Sequence, residues 1–455
     1  MGRIMEIDIV DLAYNGKSIG YDENGKVTFV KGGLPGEKVK VKVVKNKRNY
    51  NQAKLLEIIT KSPERIPAVC EHDDICGGCT WQDLEYERQL SYKREQVIAC
   101  LEHIGGIKDI EVGEIQPSPE KFYYRNKMEY SFHIVPKEEI PEGFVLGMHE
   151  RGRFDRIFNI NKCYLQSEMS NQVFSYLRSE IARLDIPIYD LIAHRGFLRF
   201  VIYREGKFTG QSMLNIVTGK GDFVAKQELT ESLTKQFPDL TTIVWTVNST
   251  MSNIAKGDVR EILYGPGYIE EEILGFRFRV SPGSFFQTNS RQTEALYKTA
   301  IEFAAIREGD TVLDLYCGAG TIGLCASAGA SEVIGIELEE EAVASARLNA
   351  EINSISNCRF YAGAVRKVLL QKELKSKSFS PVFVDPPRAG MHPKAFKRLL
   401  EINTDRIVYI SCNPSTFARD AAELIQAGYR LRRLVPFDMF PHTMHIELVS
   451  CFEKI

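Results

Sequence analysis

The sequence lacks the features that mark several specialised classes of protein. No apolar run approaches the ~18 residues of a membrane-spanning helix, and the first residues are not followed by the apolar core and cleavage site of a secretory signal. Ten cysteines among 455 residues are too few for a disulfide scaffold. The net charge of −2 argues against a protein that simply coats nucleic acid or an anionic membrane. We therefore expect a globular, cytoplasmic protein without membrane contacts, whose cysteines are available for metal binding or chemistry.

The near-neutral total conceals a basic amino-terminal segment. Residues 1–62 carry 12 basic and 7 acidic side chains, a net charge of +5, which leaves −7 for the rest of the chain. Apolar stretches alternate there with turn signals, and Val39-Lys40-Val41-Lys42-Val43 has a strict period of two. This pattern predicts a small β-barrel with one basic face. Lys45, Lys47 and Arg48 extend that face, so we expect it to bind RNA; the alternative is a solvated edge that prevents aggregation.

Changes in pattern divide the rest of the chain. A linker is predicted at residues 60–69, and residues 122–280 read mostly as strands. Strands and helices alternate from about residue 281 onward, which is typical of a parallel α/β sheet. About 150 residues per domain gives three domains for this length. The predicted domains are residues 1–59, 60–280 and 281–455.

A glycine-rich loop in the third domain predicts a nucleotide cofactor. A predicted strand at 311–316 leads into Gly318-Ala319-Gly320-Thr321-Ile322-Gly323, which matches G-x-G-x-x-G. A helix and a second strand ending at Glu337 follow, and an acidic residue there could bind ribose hydroxyls. Asp314 would repel a dinucleotide pyrophosphate and suits the cationic groups of S-adenosylmethionine. We therefore predict S-adenosylmethionine; the alternatives are a nicotinamide cofactor and a turn that binds no ligand.

The end of the chain supports the same choice of cofactor. Predicted strands at 429–435 and 445–453 are joined only by residues 436–444. They should run antiparallel, because a parallel pair needs a longer crossover. A mainly parallel sheet with a reversed final strand resembles the class I methyltransferase fold.

Two residues at predicted strand ends are candidates for catalysis. Asp385 ends one strand, and the next strand delivers Cys412 to the same edge, where ligands of open α/β sheets bind. A helix begins close to Cys412, and a helix amino terminus favours thiolate, so we predict a nucleophile rather than a small buried cysteine. Glu447 lies in an apolar strand that would raise its pKa, which suits a general base. The alternative for Glu447 is an ion pair with Arg432 or Arg433.

Four other cysteines form a candidate metal site in the second domain. Cys70, Cys76 and Cys79 are close in sequence, and Cys163 is a possible fourth ligand. Four thiolates suit zinc or an iron–sulfur cluster, and spacing alone does not choose between them. Free buried cysteines are the third possibility.

Basic and aromatic residues alternate in the second domain. Residues 194–204 and 124–127 mix the two types, which suits phosphate binding and stacking on unpaired bases. The alternative is a sheet with aromatic residues inside and arginines outside. The predicted RNA contacts outside the first domain are Arg125, Lys127, Arg195, Arg199 and Phe286.

These segments together resemble the RNA uracil-5 methyltransferase family. The matching segments are Gly283-Ser284-Phe285-Phe286-Gln287-Thr288-Asn289, residues 314–320, Asp385-Pro386-Pro387-Arg388, Ser411-Cys412-Asn413-Pro414, and residues 437–443 leading to Glu447. The resemblance implies an OB-like TRAM domain at 1–59 and a 4Fe-4S cluster on the four cysteines. It also implies Cys412 as nucleophile and Glu447 as base. The S-adenosylmethionine contacts that it implies are Gln287, Tyr316, Glu337 and Asp385.

The expected function is methylation of carbon 5 of a uridine in 23S rRNA by a monomeric enzyme. The reaction would pass through a covalent cysteine–uracil adduct on a flipped base. The same chemistry on tRNA is the nearest alternative. A non-catalytic RNA-binding protein that keeps the cofactor fold as a scaffold is a third hypothesis, and it predicts loss of Cys412, Glu337 or Asp385, all of which are present.

Overall fold

The amino-terminal strands close into a barrel in this computed structural model, which describes residues 2–13, 16–153, 155–191, 193–257 and 259–455. Val39 and Val41 are fully buried, whereas Lys38 and Lys42 on the same strand face solvent. The alternation therefore produces the predicted barrel with a basic outer face. The order around the barrel is β1-β2-β3-β5-β4. The strands are β1 (Ile4–Ala13), β2 (Lys17–Tyr21), β3 (Val27–Lys31), β4 (Lys38–Asn46) and β5 (Tyr50–Thr60).

A helix connects the barrel region to the rest of the chain. Helix α1 (Tyr86–Cys100) continues as one π-helical turn, Leu101–Gly105, and stops at Gly106. Gly106 adopts a left-handed conformation with φ of 65°, which glycine accepts at little cost.

The middle of the chain forms a seven-stranded mixed sheet. Its order is β12-β11-β10-β9-β6-β7-β8, and a separate hairpin, β13-β14, follows it in the chain. Helices α2 (Glu168–Arg183) and α3 (Lys226–Gln236) accompany the sheet. The strands are β6 (Lys127–Ile134), β7 (Phe144–His149), β8 (Ile157–Asn159), β9 (Leu198–Glu205), β10 (Ser212–Thr218), β11 (Thr242–Val247), β12 (Val259–Tyr264), β13 (Ile269–Ile273) and β14 (Phe276–Val280).

The carboxy-terminal region is a second seven-stranded sheet with the order β17-β16-β15-β18-β19-β21-β20. Five strands are parallel neighbours, while β21 runs antiparallel to both β19 and β20. The predicted reversal of the final strand is confirmed, because the short connection before it cannot make a crossover. The strands are β15 (Thr311–Leu315), β16 (Glu332–Glu337), β17 (Cys358–Ala362), β18 (Val382–Val384), β19 (Arg406–Ser411), β20 (Tyr429–Phe437) and β21 (Glu447–Lys454).

Helices pack on both faces of this sheet and bury two apolar clusters. Strands such as Val382–Val384 are apolar throughout, as expected when both faces are covered. The helices are α4 (Ser290–Ala304), α5 (Thr321–Ala326), α6 (Glu340–Ile352), α7 (Val365–Val368), α8 (Lys372–Lys375), α9 (Pro393–Ile402) and α10 (Pro414–Gln426). In the part of the chain that the structure describes, no helix is both long enough and apolar enough to cross a membrane.

A buried ion pair fixes α1 against the loop that precedes β21. The Lys93 ammonium lies 2.6 Å from the Asp438 carboxylate, and both side chains are fully buried. Gln89 of the same helix accepts a hydrogen bond from the His442 backbone at 2.9 Å. The backbone nitrogens of Thr80 and Trp81 donate to the His442 carbonyl at 2.8 and 3.1 Å. The segment 438–446 is thus held by residues that lie more than 300 positions earlier.

Candidate active site

One edge of the carboxy-terminal sheet gathers the predicted catalytic residues. Leu315 of β15 pairs with Val384 of β18, so Asp385 extends beyond the sheet beside the glycine-rich loop. In the antiparallel ladder of β19 and β21, Ser411 pairs with Leu448. Because the register of an antiparallel pair moves one residue in each direction, Cys412 and Glu447 occupy opposing positions at the end of that ladder.

Cys412 lies in the connection between β19 and α10 and is half-buried. Burial, together with the Glu447 and Asp385 carboxyls, raises the pKa of its thiol to about 12, and the positive charge of Arg388 opposes this increase. The predicted lowering of this pKa by the amino terminus of α10 is not found, because desolvation and two acidic neighbours raise the pKa instead. These surroundings favour the protonated thiol over the thiolate.

Glu447 is buried at the start of β21, with 5% of its surface exposed. Burial raises its pKa well above the usual range, Asp385 adds to the increase, and Arg388 opposes it. The predicted increase in pKa is confirmed. The alternative ion pairs do not form, since Arg432 binds Glu453 and Arg433 binds Glu302.

Asp314 lies at the end of β15 with 1% exposure. Its Oδ2 accepts a hydrogen bond of 3.0 Å from the Gly323 backbone, whereas its buried Oδ1 has no hydrogen-bond partner. Burial, and less strongly the charges of Asp385 and Glu337, raise its pKa to about 8. Burial raises the pKa of Asp385 to about 7. Two carboxyls of raised pKa, one with an unused acceptor oxygen, suit a cationic ligand.

The glycine-rich loop provides open space at the same edge. Gly318 donates its backbone N–H to Glu337 Oε2 at 3.1 Å, and a methyl group built on its Cα would meet no atom within 4 Å. Tyr316 has a left-handed backbone with φ of 66°, which turns the chain directly after β15. Gly320 caps α5, and the Thr321 hydroxyl lies 2.9 Å from the Tyr297 hydroxyl. The glycine-rich loop, the Glu337 carboxylate and the open space beside Gly318 can together accommodate a nucleoside cofactor.

A second loop, residues 281–289, brings Gln287 into this part of the fold. The Asn126 side-chain amide donates to the Gln287 carbonyl at 2.7 Å and to the Ser290 hydroxyl at 2.9 Å. The buried Arg204 guanidinium donates to the Ser284 carbonyl at 2.5 Å. Asn126 and Arg204 come from the middle sheet, so that sheet positions a loop of the candidate cofactor site.

Side chains of helix α10 and its N-cap form hydrogen bonds with the loop that follows Asp385. The sequence analysis did not predict these contacts. The side chains of Asn413 and Thr416 donate to the Arg388 carbonyl at 2.9 and 3.3 Å. The Asp420 Oδ2 accepts from the Met391 backbone at 3.0 Å and from the Tyr409 hydroxyl at 2.6 Å. These residues lie on one face of the helix because they are three or four positions apart. The sequence signal that could have predicted these contacts is the set of polar residues spaced three or four positions apart after Cys412.

The four cysteines of the second domain line one cavity of about 150 Å³. Cys70, Cys76 and Cys79 reach it from the segment before α1, and Cys163 reaches it from the loop before α2. Their thiols are close enough to influence each other electrostatically. Within the described ranges, no group of three or more His, Cys, Asp or Glu side chains has the geometry of a metal-ion site. The convergence of four soft sulfur ligands nevertheless fits a thiolate-ligated group.

The predicted RNA contacts fall into two sets. Lys45, Lys47, Arg48 and Arg195 are exposed, and Arg125 and Lys127 are partly exposed. The structure corrects the predicted RNA contacts at Arg199 and Phe286, because both side chains are buried. The Arg199 guanidinium is buried and donates to the carbonyls of residues 248, 250 and 252, so it already serves the fold. Phe286 is buried against Phe278, whereas the adjacent Phe285 is 72% exposed.

Comparisons with known proteins agree with this fold and site. Residues 221–455 match the family described as tRNA (uracil-5-)-methyltransferase, and residues 1–56 match the TRAM domain. An uncharacterized RNA methyltransferase of Caldanaerobacter subterraneus is 40% identical over 100% of this chain and 99% of its own length. Another, from Chlorobaculum tepidum, is 38% identical over 100% of this chain and 97% of its own.

A solved structure shows the same architecture. The Pyrococcus abyssi tRNA (uracil-54, C5)-methyltransferase, in complex with S-adenosyl-L-homocysteine, aligns with a TM-score of 0.79 and 32% identity, covering 98% of this chain and all of that chain. The predicted barrel and class I methyltransferase fold are confirmed, while the cluster is not shown. The chain therefore belongs to the tRNA (uracil-5-)-methyltransferase family of S-adenosylmethionine-dependent RNA methyltransferases and carries an amino-terminal TRAM domain.

Proposed function

We propose that this enzyme methylates carbon 5 of a uridine in RNA through a covalent adduct with Cys412, and that Glu447 is the general base. The observation that carries the proposal is the opposition of Cys412 and Glu447 at the end of the β19–β21 ladder, next to Asp385. A nucleophile and a base that flank one open edge can act on adjacent atoms of a single ring.

S-adenosylmethionine, when bound, supplies an electrophilic methyl group to that edge. The residues that fit it are those around the glycine-rich loop, in which Asp314 has an unused buried oxygen and Gly318 borders open space. The proposed contacts are Gln287, Asp314, Tyr316, Gly318, Gly320, Thr321, Glu337 and Asp385. Of these, Glu337 already accepts the Gly318 N–H through Oε2, so a ribose hydroxyl would share that carboxylate.

The chain's own residues perform the remaining chemistry. Carbon 5 of uracil is a poor nucleophile, and addition of the Cys412 thiolate to carbon 6 makes an enolate whose carbon 5 is nucleophilic. Once carbon 5 carries the methyl group, Glu447 takes its proton, the double bond re-forms and the sulfur leaves carbon 6 as thiolate. The uracil must be out of its stack to lie between these two groups, so base flipping is part of the proposal.

The reactivity of Cys412 and Glu447 depends on their protonation states. Burial raises the pKa of both the Cys412 thiol and the Glu447 carboxyl and so favours their neutral forms. A cation bound beside Asp385 would favour the ionised forms of nearby groups, as Arg388 already does. Binding of a cationic cofactor would thus favour the ionised, reactive forms of the nucleophile and the base.

The RNA substrate stays a prediction. The TRAM domain and its exposed Lys45, Lys47 and Arg48 support an RNA partner, and we propose 23S rRNA with a monomeric enzyme. A specific observation favours the second candidate, since the solved relative that aligns with 98% of this chain is a tRNA (uracil-54, C5)-methyltransferase. We also propose the division into an RNA-capturing barrel at 1–59, a cysteine-containing domain at 60–280 and a methyl-transfer domain at 281–455.

We propose that Cys70, Cys76, Cys79 and Cys163 hold a 4Fe-4S cluster. The support is their convergence on one cavity. Protein purified without oxygen should be brown and contain about four irons per chain, whereas stoichiometric zinc in a colourless protein would refute the cluster.

The experiment that tests the function is mass-spectrometric mapping of 5-methyluridine in 23S rRNA and tRNA from a strain that lacks this protein. The expected result is loss of the modification at one or a few uridines of 23S rRNA, restored by the wild-type gene but not by Cys412→Ala. Loss from tRNA alone would replace the rRNA proposal with the tRNA candidate. An unchanged modification profile in both RNAs would refute the proposed activity.

A further inference from the structure

A strip of aromatic side chains lies beside the candidate active site and has no assigned role. We define the aromatic strip as Phe122, Tyr123 and Tyr164. The ring centroids of Tyr123 and Tyr164 are 6.2 Å apart, and those of Phe122 and Tyr164 are 6.3 Å apart. Tyr123 is 37% exposed, and the other two rings are partly exposed. A nucleobase could therefore stack on this surface.

The backbone of Tyr123 is held in a conformation that tyrosine rarely adopts. Its φ is 57°, in the left-handed region that favours glycine. Two hydrogen bonds maintain it: the Tyr123 N–H donates to the Tyr164 carbonyl at 2.7 Å, and the Lys207 ammonium donates to the Tyr123 carbonyl at 2.6 Å. The neighbouring Arg125 N–H donates to the Leu165 carbonyl at 2.8 Å. A large aromatic residue kept at a glycine position by its surroundings indicates a selected surface rather than a passive turn.

Positive charge borders the strip. The Lys162 ammonium lies 5.2 Å from the centre of the Tyr164 ring. Arg125 donates its Nε–H to the Lys127 carbonyl, and in the described part of the chain no acidic side chain forms an ion pair with it. A partly buried arginine without an acidic partner, next to exposed aromatic rings, is complementary to the phosphate and base of an unpaired nucleotide.

The strip is continuous with the catalytic edge. The Phe122 ring stacks on the His442 ring with centroids 4.4 Å apart, and His442 belongs to the segment that leads into Glu447. His445 of that segment lies within electrostatic reach of both Arg125 and Arg388, and Arg388 faces Cys412. A strand of RNA with its target base at Cys412 would therefore reach the strip with a neighbouring nucleotide.

We propose that the aromatic strip binds an unpaired nucleotide next to the target uridine, with its base on the exposed Tyr123 ring and its phosphate on Arg125. This inference rests on the proposed function and adds a surface that selects target uridines in single-stranded loops. A paired and stacked flanking nucleotide would present no free face to the Tyr123 ring.

The test measures binding of fluorescein-labelled single-stranded oligouridine by anisotropy, with the intact protein saturated with S-adenosylhomocysteine. The informative change is Tyr123→Gly, because glycine suits the backbone while the ring is lost. The expected result is affinity weakened about 5- to 150-fold, the range for one stacked base, with unchanged affinity for S-adenosylhomocysteine and a Tm that is not lowered.

The matched control is Tyr264→Ala, which removes a ring of similar exposure, 41%, from the edge strand β12. It should bind the RNA like wild type. Arg125→Gln should reduce the slope of log affinity against log salt by about 0.7, the value for one phosphate contact in a single strand. Wild-type affinity in Tyr123→Gly, or an equal loss in Tyr264→Ala, would overturn the proposal. If wild type transfers no methyl group to unmodified cellular RNA, the proposed function fails instead, which separates the two results.

Discussion

The catalytic edge of the carboxy-terminal sheet and strand β9 of the middle sheet contain functional residue types in opposite settings. At the edge, Asp385 and Cys412 lie just beyond strand ends and Glu447 is the first residue of β21, so their side chains converge where the sheet ends. In β9, Arg199 and Arg204 lie within a strand whose neighbours are apolar on both faces. The residues at the edge can contact a ligand. The guanidinium groups of Arg199 and Arg204 instead donate hydrogen bonds to backbone carbonyls of the protein itself. Whether a polar side chain can bind a ligand therefore depends more on its position relative to the end of a strand than on its residue type.

The largest expected effect is at the catalytic edge, for Cys412→Ala. Methyl transfer should fall by at least about 1,000-fold, because no other group can add to carbon 6 of uracil. Affinity for S-adenosylhomocysteine, measured by calorimetry, should stay the same. The control is Cys358→Ala, which removes a half-buried thiol from β17 and should retain full turnover. Retained turnover in Cys412→Ala would eliminate it as the nucleophile.

Glu447→Gln should separate the two halves of the reaction. The amide keeps the shape of the side chain but cannot accept the carbon-5 proton, so turnover should fall about 100-fold or more. The protein should then accumulate as a covalent RNA adduct that survives denaturing electrophoresis. Glu453→Gln on the same strand is the control and should show neither effect. Clean release of methylated RNA from Glu447→Gln would contradict its role as base.

Arg199→Ala tests the other side of the comparison. Removal of the guanidinium leaves the carbonyls of residues 248, 250 and 252 without donors, so we expect a loss of about 2–4 kcal/mol in the free energy of unfolding. RNA affinity of the folded protein should be unchanged. Arg195→Ala, at an exposed position, should change stability by less than about 0.5 kcal/mol. A stable Arg199→Ala protein with weak RNA binding would restore Arg199 as an RNA contact.

The smallest effect concerns pH. The pKa values of Asp314 and Asp385 are raised to about 8 and about 7, so both carboxyls are mostly protonated at about pH 6. A cationic ligand needs them ionised, and its affinity should therefore fall as the pH decreases through this range. Calorimetry should show S-adenosylmethionine binding about tenfold more weakly at pH 6 than at pH 9. S-adenosylhomocysteine, which lacks the sulfonium charge, is the control and should change less; equal changes would exclude these carboxyls as the cause.

Much of the catalytic edge was predictable because it depends on local rules. Ligands of open parallel sheets bind at the carboxyl ends of the strands. Asp314 and Glu337 lie near the ends of predicted buried strands, so their location at this edge could be predicted from the sequence. The predicted reversal of β21 follows from a connection too short for a crossover. The pKa of Cys412 was not predictable in the same way. It depends on carboxyls that come from two other strands, and their approach is visible only in three dimensions.

The middle sheet was harder for a physical reason. Alternating arginine and aromatic residues suit a strand with one wet face, but β9 is buried on both faces, and only the packing of α2, α3 and the 248–255 loop decides that. The same limit applies to Phe285 and Phe286, where rotation of one loop determines which ring is buried.

The amino-acid sequence by itself determined the barrel, the parallel sheet with its reversed strand, and the identity of the strand-end residues, because periodicity and connection length are local properties. Tertiary structure alone decided which arginines are spent on the fold, how α10 holds the loop after Asp385, and why Tyr123 accepts a left-handed backbone. It also brought Cys163 to the other three cysteines. Each of these depends on contacts between distant segments, whose energies are set by burial and hydrogen bonding rather than by neighbouring residues.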